Sequence, residues 1–509
     1  MANGKTRLAA LAVILLTGGG VGALLLGDEF AGAQAPSSVN ALLPGANQLP
    51  APTWRAALPK SPADLRKGAE IDLRDCTYGP GETHWGGATG QYLVDRNAFY
   101  AVVFLPTDLP GGHFRFRGVY PHARWFSFES YDEGLASEGV VDDTAIDPDP
   151  GSATPFFTHD HYVRGHNRYT VDIYSTPPAS RASPAPHNVL YMGYRENPYY
   201  GGVEHSPYSP VLYRVYVPKP PPQGGVPLPH LYWVVDNPGT NLFETDTEVC
   251  NAMEPARAPN QTVLEINDVL DKRVSQPTLQ PTERNVDIPT DEVPHDPPYV
   301  NILRPATNGY QGAYFNSKTP YIYIRPFAQY GRFVVVHFKA PTFARIEEGV
   351  PLTGNEQTRY WSWCAAQFVS PVNVTQACLM DKQFHIHDGY ATLVVSPPDQ
   401  RPLINGKRYA DWLPWPGGGA DLNMRQIDPN PKTYPQSPYF LPVTSQYDAL
   451  DYLRGVANEQ EIQKWMGPYY PTVEYCSTVQ FQKNGCGFPS ALTQPVGHRE
   501  TKSIASSRR

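Results

Sequence analysis

The sequence is short of the linear signatures that mark most catalytic classes. It contains no G-x-S-x-G, no H-E-x-x-H, no G-x-x-x-x-G-K-[ST] and no dinucleotide-binding glycine fingerprint, which removes the most easily read hydrolases, zinc peptidases and nucleotide enzymes. An enzyme is not excluded, because β-sandwich lyases and hydrolases assemble their sites from scattered residues. Charge is scarce as well: charged residues make up 18% of the chain, the formal net charge is −8, and no long basic run occurs. Neutralising phosphates needs a concentrated basic surface, so nucleic acid is excluded as a partner. C-x-x-C is missing, which argues against a thioredoxin-like or zinc-ribbon reading. Past residue 26 no apolar run is long enough to cross a bilayer.

What is present begins with proline and glycine, 55 and 42 of 509 residues, beside 41% hydrophobic and 12% aromatic residues. Many short strands joined by turns use that mixture. A chain of this length holds roughly two to four domains.

The N-terminus speaks for export. Lys5 and Arg7 precede the apolar stretch Leu8 to Leu16, and Ala33-Gln34-Ala35 offers a small-x-small cleavage site before Pro36. The other reading joins Leu8 to Leu26 into one uncleaved anchor of 19 residues. Secretion, a periplasmic or cell-envelope location, or an anchored extracytoplasmic body follows, with membrane contact only through an uncleaved N-terminus. Six cysteines fit an oxidising compartment. Cys364 with Cys378 and Cys476 with Cys486 are the local pairs, and Cys76 with Cys250 would then join the ends of one repeat. Of the fifteen possible connectivities this is the most economical.

The chain also repeats itself. Arg124-Trp125-Phe126-Ser127-Phe128 returns as Arg359-Tyr360-Trp361-Ser362-Trp363, and Tyr169 to Pro178 returns as Tyr390 to Pro398. The segment Leu212 to Pro220 is answered by Leu422 to Pro431, with Arg214 and Arg425 retained in both, while residues 342–358 form an insertion in the second copy. The sequence thus predicts a mainly β chain: two tandem jelly-roll-like β-sandwich domains with a small C-terminal helical segment. The boundaries read as residues 1–35 signal or anchor, 36–90 linker and a short helix at 61–67, and 91–250 first sandwich. Residues 251–298 read as linker with a short helix near 264–270, 299–435 as second sandwich, 436–496 as helical and disulfide segment, and 497–509 as disordered tail. In the helical segment, Tyr447, Leu450 and Leu453 fall on one face, and Asn458 with Glu461 makes a capping box before Ile462, Trp465 and Met466.

The run from His387-Asp388-Gly389-Tyr390 to Ser396-Pro397-Pro398, then Asp411-Trp412-Leu413-Pro414-Trp415-Pro416 and Leu422-Asn423-Met424-Arg425, resembles the signature of bacterial DUF1214-type β domains. The resemblance covers about a fifth of the chain directly and a further fifth through the first copy. The first copy departs from it at Asn167-Arg168 and at Leu190-Tyr191-Met192. The resemblance implies a jelly-roll-like sandwich and no activity.

Five chemistries have candidates. His159, His161 and His166, or His385, His387 and Asp388, could hold a divalent transition metal, since neutral imidazoles two apart on a strand share a face. His166 and His387 each precede a repeated tyrosine by three residues. Solvated loop histidines are the plainer reading. The carboxylates Asp142, Asp143, Asp147 and Asp149 could favour Ca²⁺, but turn formation explains them more simply. Glu129 and Asp132 could act as a glycosidase pair or as ordinary surface acids. Tyr199, Tyr200, Trp412 and Trp415, in predicted loops, could stack on sugars or cover an amphipathic molecule, and equally could pack the core. Arg124, Arg359, Arg214 and Arg425 read as structural, with Arg214 and Arg425 the candidates for an anionic ligand. The functional readings that result are binding of a glycan or small amphipathic ligand, a metal-dependent extracellular hydrolase or lyase, or a structural envelope component.

Overall fold

Strand alternation decides what each sheet can pack against, and here most strands of two sheets are buried on both faces. A computed structural model of the chain describes residues 66–77, 94–132, 135–156, 167–196, 202–254, 256, 298, 300–303, 314–369, 372–417, 420–441 and 459–493. The expected signal segment, most of the 61–67 helix, the 264–270 helix, the Tyr447–Leu453 face and the tail fall outside these residues.

The first body contains strands β1 (Glu70–Asp72), β2 (Ala98–Pro106), β3 (Gly112–Val119), β4 (Trp125–Tyr131), β5 (Ser137–Asp142), β6 (Arg168–Ser175), β7 (Val189–Met192), β8 (Tyr194–Glu196), β9 (Val203–His205), β10 (Tyr208–Tyr216) and β11 (His230–Val235). They form a five-stranded sheet ordered β1-β11-β3-β6-β7 and a four-stranded sheet ordered β2-β10-β4-β5, with β8 and β9 as a small hairpin. Phe99, Ala101, Val103 and Leu105 of β2 turn toward Phe114, Phe116, Val171, Ile173 and Trp233 of the other sheet, making one core. Each such side chain contributes about 1.5–3 kcal/mol on full burial.

The second body contains β12 (Val300–Leu303), β13 (Tyr321–Ile324), β14 (Val334–Lys339), β15 (Tyr360–Val369), β16 (Val372–Met380), β17 (Tyr390–Ser396), β18 (Leu403–Ile404), β19 (Lys407–Arg408), β20 (Trp412–Pro414), β21 (Ala420–Ile427) and β22 (Thr472–Tyr475). Its sheets are ordered β12-β13-β21-β15-β16 and β20-β17-β14-β22. Ile322, Ile324, Trp361, Trp363 and Met424 meet Val334, Val336, Phe338, Leu393 and Val395 in a second core. The mainly β expectation is therefore met. The strand order also matches across the bodies: β2-β10-β4-β5 answers β13-β21-β15-β16, and β11-β3-β6-β7 answers β22-β14-β17-β20. In both, the last pair is parallel, β6 with β7 and β17 with β20.

The remaining faces of the two middle sheets turn to each other. Tyr100, Val102, Trp125, Leu212 and Tyr216 of the first body pack with Tyr360 and Ile427 of the second in a third cluster. Four sheets are thus stacked in series, which is why β2 and β10 are buried along almost their whole length.

Two features depart from the sequence reading. The expected helix bearing Ile462, Trp465 and Met466 is present as Glu459–Met466, but the chain then forms β22, which pairs with β14 and completes the outer sheet, before the helix Thr478–Asn484. Tyr169 and Tyr390, matched in sequence, are not structural equivalents. Tyr169 is 0% exposed in the core, whereas Tyr390 lies on the opposite face of its strand, stacked on His337. A shift of one residue moves a side chain to the other face, so the matching spacing of His166 and His387 loses its meaning. All three expected disulfides are present: Cys76–Cys250, Cys364–Cys378 and Cys476–Cys486. Three disulfides point to an oxidising, extracytoplasmic setting, and among the described residues no helix is long and apolar enough to cross a membrane.

Candidate functional site

The Asp-Gly pair in the second body makes a tight hairpin. Asp388 (φ 50°) and Gly389 (φ 81°) both adopt positive φ, and the flanking His387 and Tyr390 exchange two backbone hydrogen bonds of 2.8 and 2.9 Å. Two-residue turns of this hand suit the strand twist and favour Asp-Gly. The turn sets His385 and His387 at the mouth of an open cleft of ≈ 180 Å³, lined also by Ile386, Tyr390, Thr392 and Tyr409. Its opposite wall is Ser490, Ala491 and Thr493, from the turn Pro489–Thr493 that follows the Cys476–Cys486 loop.

Most polar groups around the cleft are oriented. Asp411, 1% exposed, accepts from the backbone N–H of His385 at 3.0 Å, and its other oxygen lies 2.8 Å from His385 Nδ1. That hydrogen bond and the carboxylate charge hold the His385 imidazole above its usual pKa against the opposing effect of burial. Tyr409 donates its hydroxyl to the Thr392 carbonyl at 2.8 Å, and Thr392 Oγ1 lies 2.9 Å from His337 Nδ1. His337, kept neutral-leaning by burial, is stacked between Tyr390 and Phe488 with ring centroids 5.2 and 4.4 Å away. A fixed imidazole, hydroxyls of Ser, Thr and Tyr, and a half-exposed tyrosine ring can hydrogen-bond and stack on a polyhydroxylated molecule. Ile386, 43% exposed, adds an apolar rim.

His385, His387 and Asp388 share this region without forming a three-ligand site. Asp388 lies beside His387 Nδ1 at 3.1 Å, but among the described residues the only three potential ligands gathered within 4.8 Å are Asp95, Cys364 and Cys378. Those two cysteines form a disulfide and offer no thiolate. His159, His161, His166, Tyr199 and Tyr200 lie outside the described residues. Trp412 donates Nε1 to Ser396 Oγ at 2.9 Å under the Arg401 guanidinium, and Trp415 donates to the Gly417 carbonyl while packing on the second core. Neither lines the cleft.

The carboxylates singled out in the sequence are divided among bases rather than gathered. Glu129 binds Arg214 Nη1 and the Ser137 hydroxyl, and Asp132 binds Arg195 at 3.1 Å. Asp147 faces His187 at 3.0 Å. Arg214 and Arg425, read above as anion contacts, are each 2% exposed between the middle sheets, so they are partners for the fold's own groups and out of reach of a dissolved ligand. Arg425 sits 3.5 Å from Asp95, whose carboxylate also accepts from Tyr360 and Ser362. Arg124 grips Asp381 and Glu347, and Arg359 grips Asp143 through two 2.8 Å bonds. Sequence reasoning missed Asp95, Glu347, Asp381 and Asp411 because acids distant along the chain carry no periodic signal.

One knot of these acids has more carboxyls than cations. Lys318 reaches Asp142 at 3.0 Å and Arg359 reaches Asp143, while Asp428 interacts with the same cations. Burial pushes Asp143 up to about 7, only partly offset by Arg359, and burial with the Asp142 charge raises Asp428 as well. A raised carboxyl stabilises the fold fully below its unfolded pKa and loses that contribution as pH climbs through the folded value. Stability should therefore fall between about pH 4 and pH 7 on account of these groups. Asp428→Asn, whose amide tolerates the same positive φ, should flatten that fall; a denaturation midpoint with unchanged pH dependence would contradict it.

No family model matches the chain, and no curated protein matches it. Solved structures that share weak similarity with it include two bacterial proteins. An uncharacterized protein from Burkholderia cenocepacia is 8% identical, over 66% of this chain and 74% of that one, with a TM-score of 0.35. The VPA0106 protein from Vibrio parahaemolyticus is 11% identical, over 68% of this chain and 88% of that one, with a TM-score of 0.28. The structural neighbours are uncharacterized bacterial proteins, and likeness at this level says nothing about activity.

Proposed function

We propose that this is an exported protein made of two tandem copies of a DUF1214-like β domain, which binds a glycan or a similarly hydroxylated, partly apolar small molecule in the cleft of the second copy. The observation that carries the binding reading is the cleft itself: a histidine fixed by a buried carboxylate, flanked by Thr392, Tyr390, Ser490 and Thr493 and rimmed by Ile386. The matched strand order supports the tandem copies. The order of charged, apolar and small residues at the N-terminus, together with the three disulfides, supports export.

Binding is tested by glycan arrays followed by calorimetry on the strongest hits. His385→Ala should weaken the best saccharide roughly 10- to 100-fold, as expected for a charge-assisted hydrogen bond. Thr493→Trp should block it by filling the cleft. Binding indifferent to both substitutions, or no binding across glycans and lipids, would refute this site. A second reading is favoured by the His385–Asp411 pair, which is the arrangement that orients a general base. On that reading the protein is a hydrolase or lyase, and turnover of a bound glycan lost in His385→Ala would select it.

A further inference from the structure

The four repeated arginines were chosen in the sequence for their position in the repeat, and the structure shows what the repetition achieves. Arg124 precedes β4 and its N–H donates to the Tyr216 carbonyl at 3.0 Å; Arg359 precedes β15 and donates to the Ile427 carbonyl at 2.9 Å. The residues just after those carbonyls, Val217 and Asp428, both hold positive φ, 53° and 49°. In register, Arg214 lies between Tyr100 and Ser127, and Arg425 lies between Tyr321 and Ser362. Each middle sheet thus carries the same Tyr-Arg-Ser row on the face it turns to the other body.

The ion pairs cross that seam reciprocally. Arg124 of the first body binds Asp381 of the second, and Arg359 of the second binds Asp143 of the first. The acids are equivalents too: Asp143 accepts the N–H of Phe126 at 3.4 Å, and Asp381 accepts that of Trp361 at 3.1 Å. Phe126 and Trp361 are the residues two after Arg124 and Arg359. Residue i contacting j while j′ contacts i′ is the mark of a two-fold, self-complementary interface. The symmetry is broken at Glu347, which comes from the 342–358 insertion and gives Arg124 a second acid, and at Cys364, which stands where Glu129 stands in the first body.

We infer that the two bodies are the fused partners of an isologous homodimer, and that the seam between the middle sheets holds them together without a covalent connection. No disulfide crosses the seam: Cys76–Cys250 closes the first body, and the other two lie in the second. The partner each middle sheet fits is therefore a second copy of its own fold, supplied in this chain by the other half. The inference rests on the tandem-copy reading, and its loss would leave the matched strand order standing.

The test uses the full chain with a protease site placed between residues 270 and 290. After cutting under native, non-reducing conditions, the two fragments should elute together at the mass of the uncut protein. Arg359→Asp in the nicked protein should weaken their association on the order of 10²-fold, as for other desolvated charge pairs, and adding Asp143→Arg should restore most of it. Fragments that separate on cutting would overturn the inference. Aggregation of the nicked protein counts against it equally when the uncut variant is monodisperse. An Arg359→Asp effect that Asp143→Arg leaves unrepaired would remove the reciprocal pairing.

Discussion

Replacing Arg124 by alanine should destabilise the protein by about 3–5 kcal/mol, the usual cost of stranding buried charge. The guanidinium is 0% exposed and bonds both oxygens of Asp381 at 2.6 Å and both oxygens of Glu347 at 2.6 and 2.9 Å. Its removal leaves two carboxyls in a seam between sheets, with Lys382, 3.1 Å from Glu347, as the ion-pair partner that remains among the described residues. Asp381, which burial already pushes up to about 6 against the pull of Arg124, would then hold its proton at neutral pH. The decisive control is Arg124→Met with Glu347→Met and Asp381→Asn, which removes the charges together and keeps an acceptor for the Trp361 N–H. A buried ion pair replaced whole is often neutral. The triple variant should recover most of the denaturant midpoint that Arg124→Ala loses, and a triple variant no better than the single one would show that the charges themselves hold the seam.

The second large effect belongs to Cys76–Cys250, which closes a loop with a sequence separation of 174 residues. Chain entropy assigns such a loop about 5 kcal/mol, against about 3 kcal/mol for the 10-residue separation of Cys476 and Cys486. Cys250 lies in the helical stretch 246–254, whose Val249 and Met253 are buried in the first core, while Cys76 follows β1 at the edge of the outer sheet. The bridge therefore fastens both ends of the first body to one place. Changing Cys76 and Cys250 together to serine should lower the midpoint well below that of the corresponding Cys476/Cys486 variant. Equal losses from the two pairs would mean that the long loop stays closed without its disulfide.

Much of the fold was legible because it rests on local pattern. Phe99 to Leu105, Arg124 to Tyr131 and Val211 to Val217 announce strands by β-branched and aromatic density, and they are β2, β4 and β10, with ends displaced by at most three residues. β5 (Ser137–Asp142) was not legible because its own residues are mixed, although its partner β4 adjoins it in sequence, and β22 (Thr472–Tyr475) was not because it is short, mixed and paired with the distant β14. The arginines were legible as repeated and as structural, whereas their acids were not: Arg124 and Asp381 are 257 residues apart. The site was half legible. His385 and His387 stand out as a pair, but Asp411, Tyr409 and the Ser490–Thr493 wall are brought to them only by folding.

On the proposed binding reading, the wall at Ser490, Ala491 and Thr493 would tie recognition to redox chemistry. These residues reach the cleft through a short segment anchored by Cys486, whose disulfide to Cys476 fixes it beside β22. By thermodynamic linkage, a ligand that prefers the closed wall makes that disulfide harder to reduce, and reducing it weakens the ligand by the same factor. Occupancy of the cleft by such a ligand and the state of the Cys476–Cys486 disulfide would then be two readings of one equilibrium.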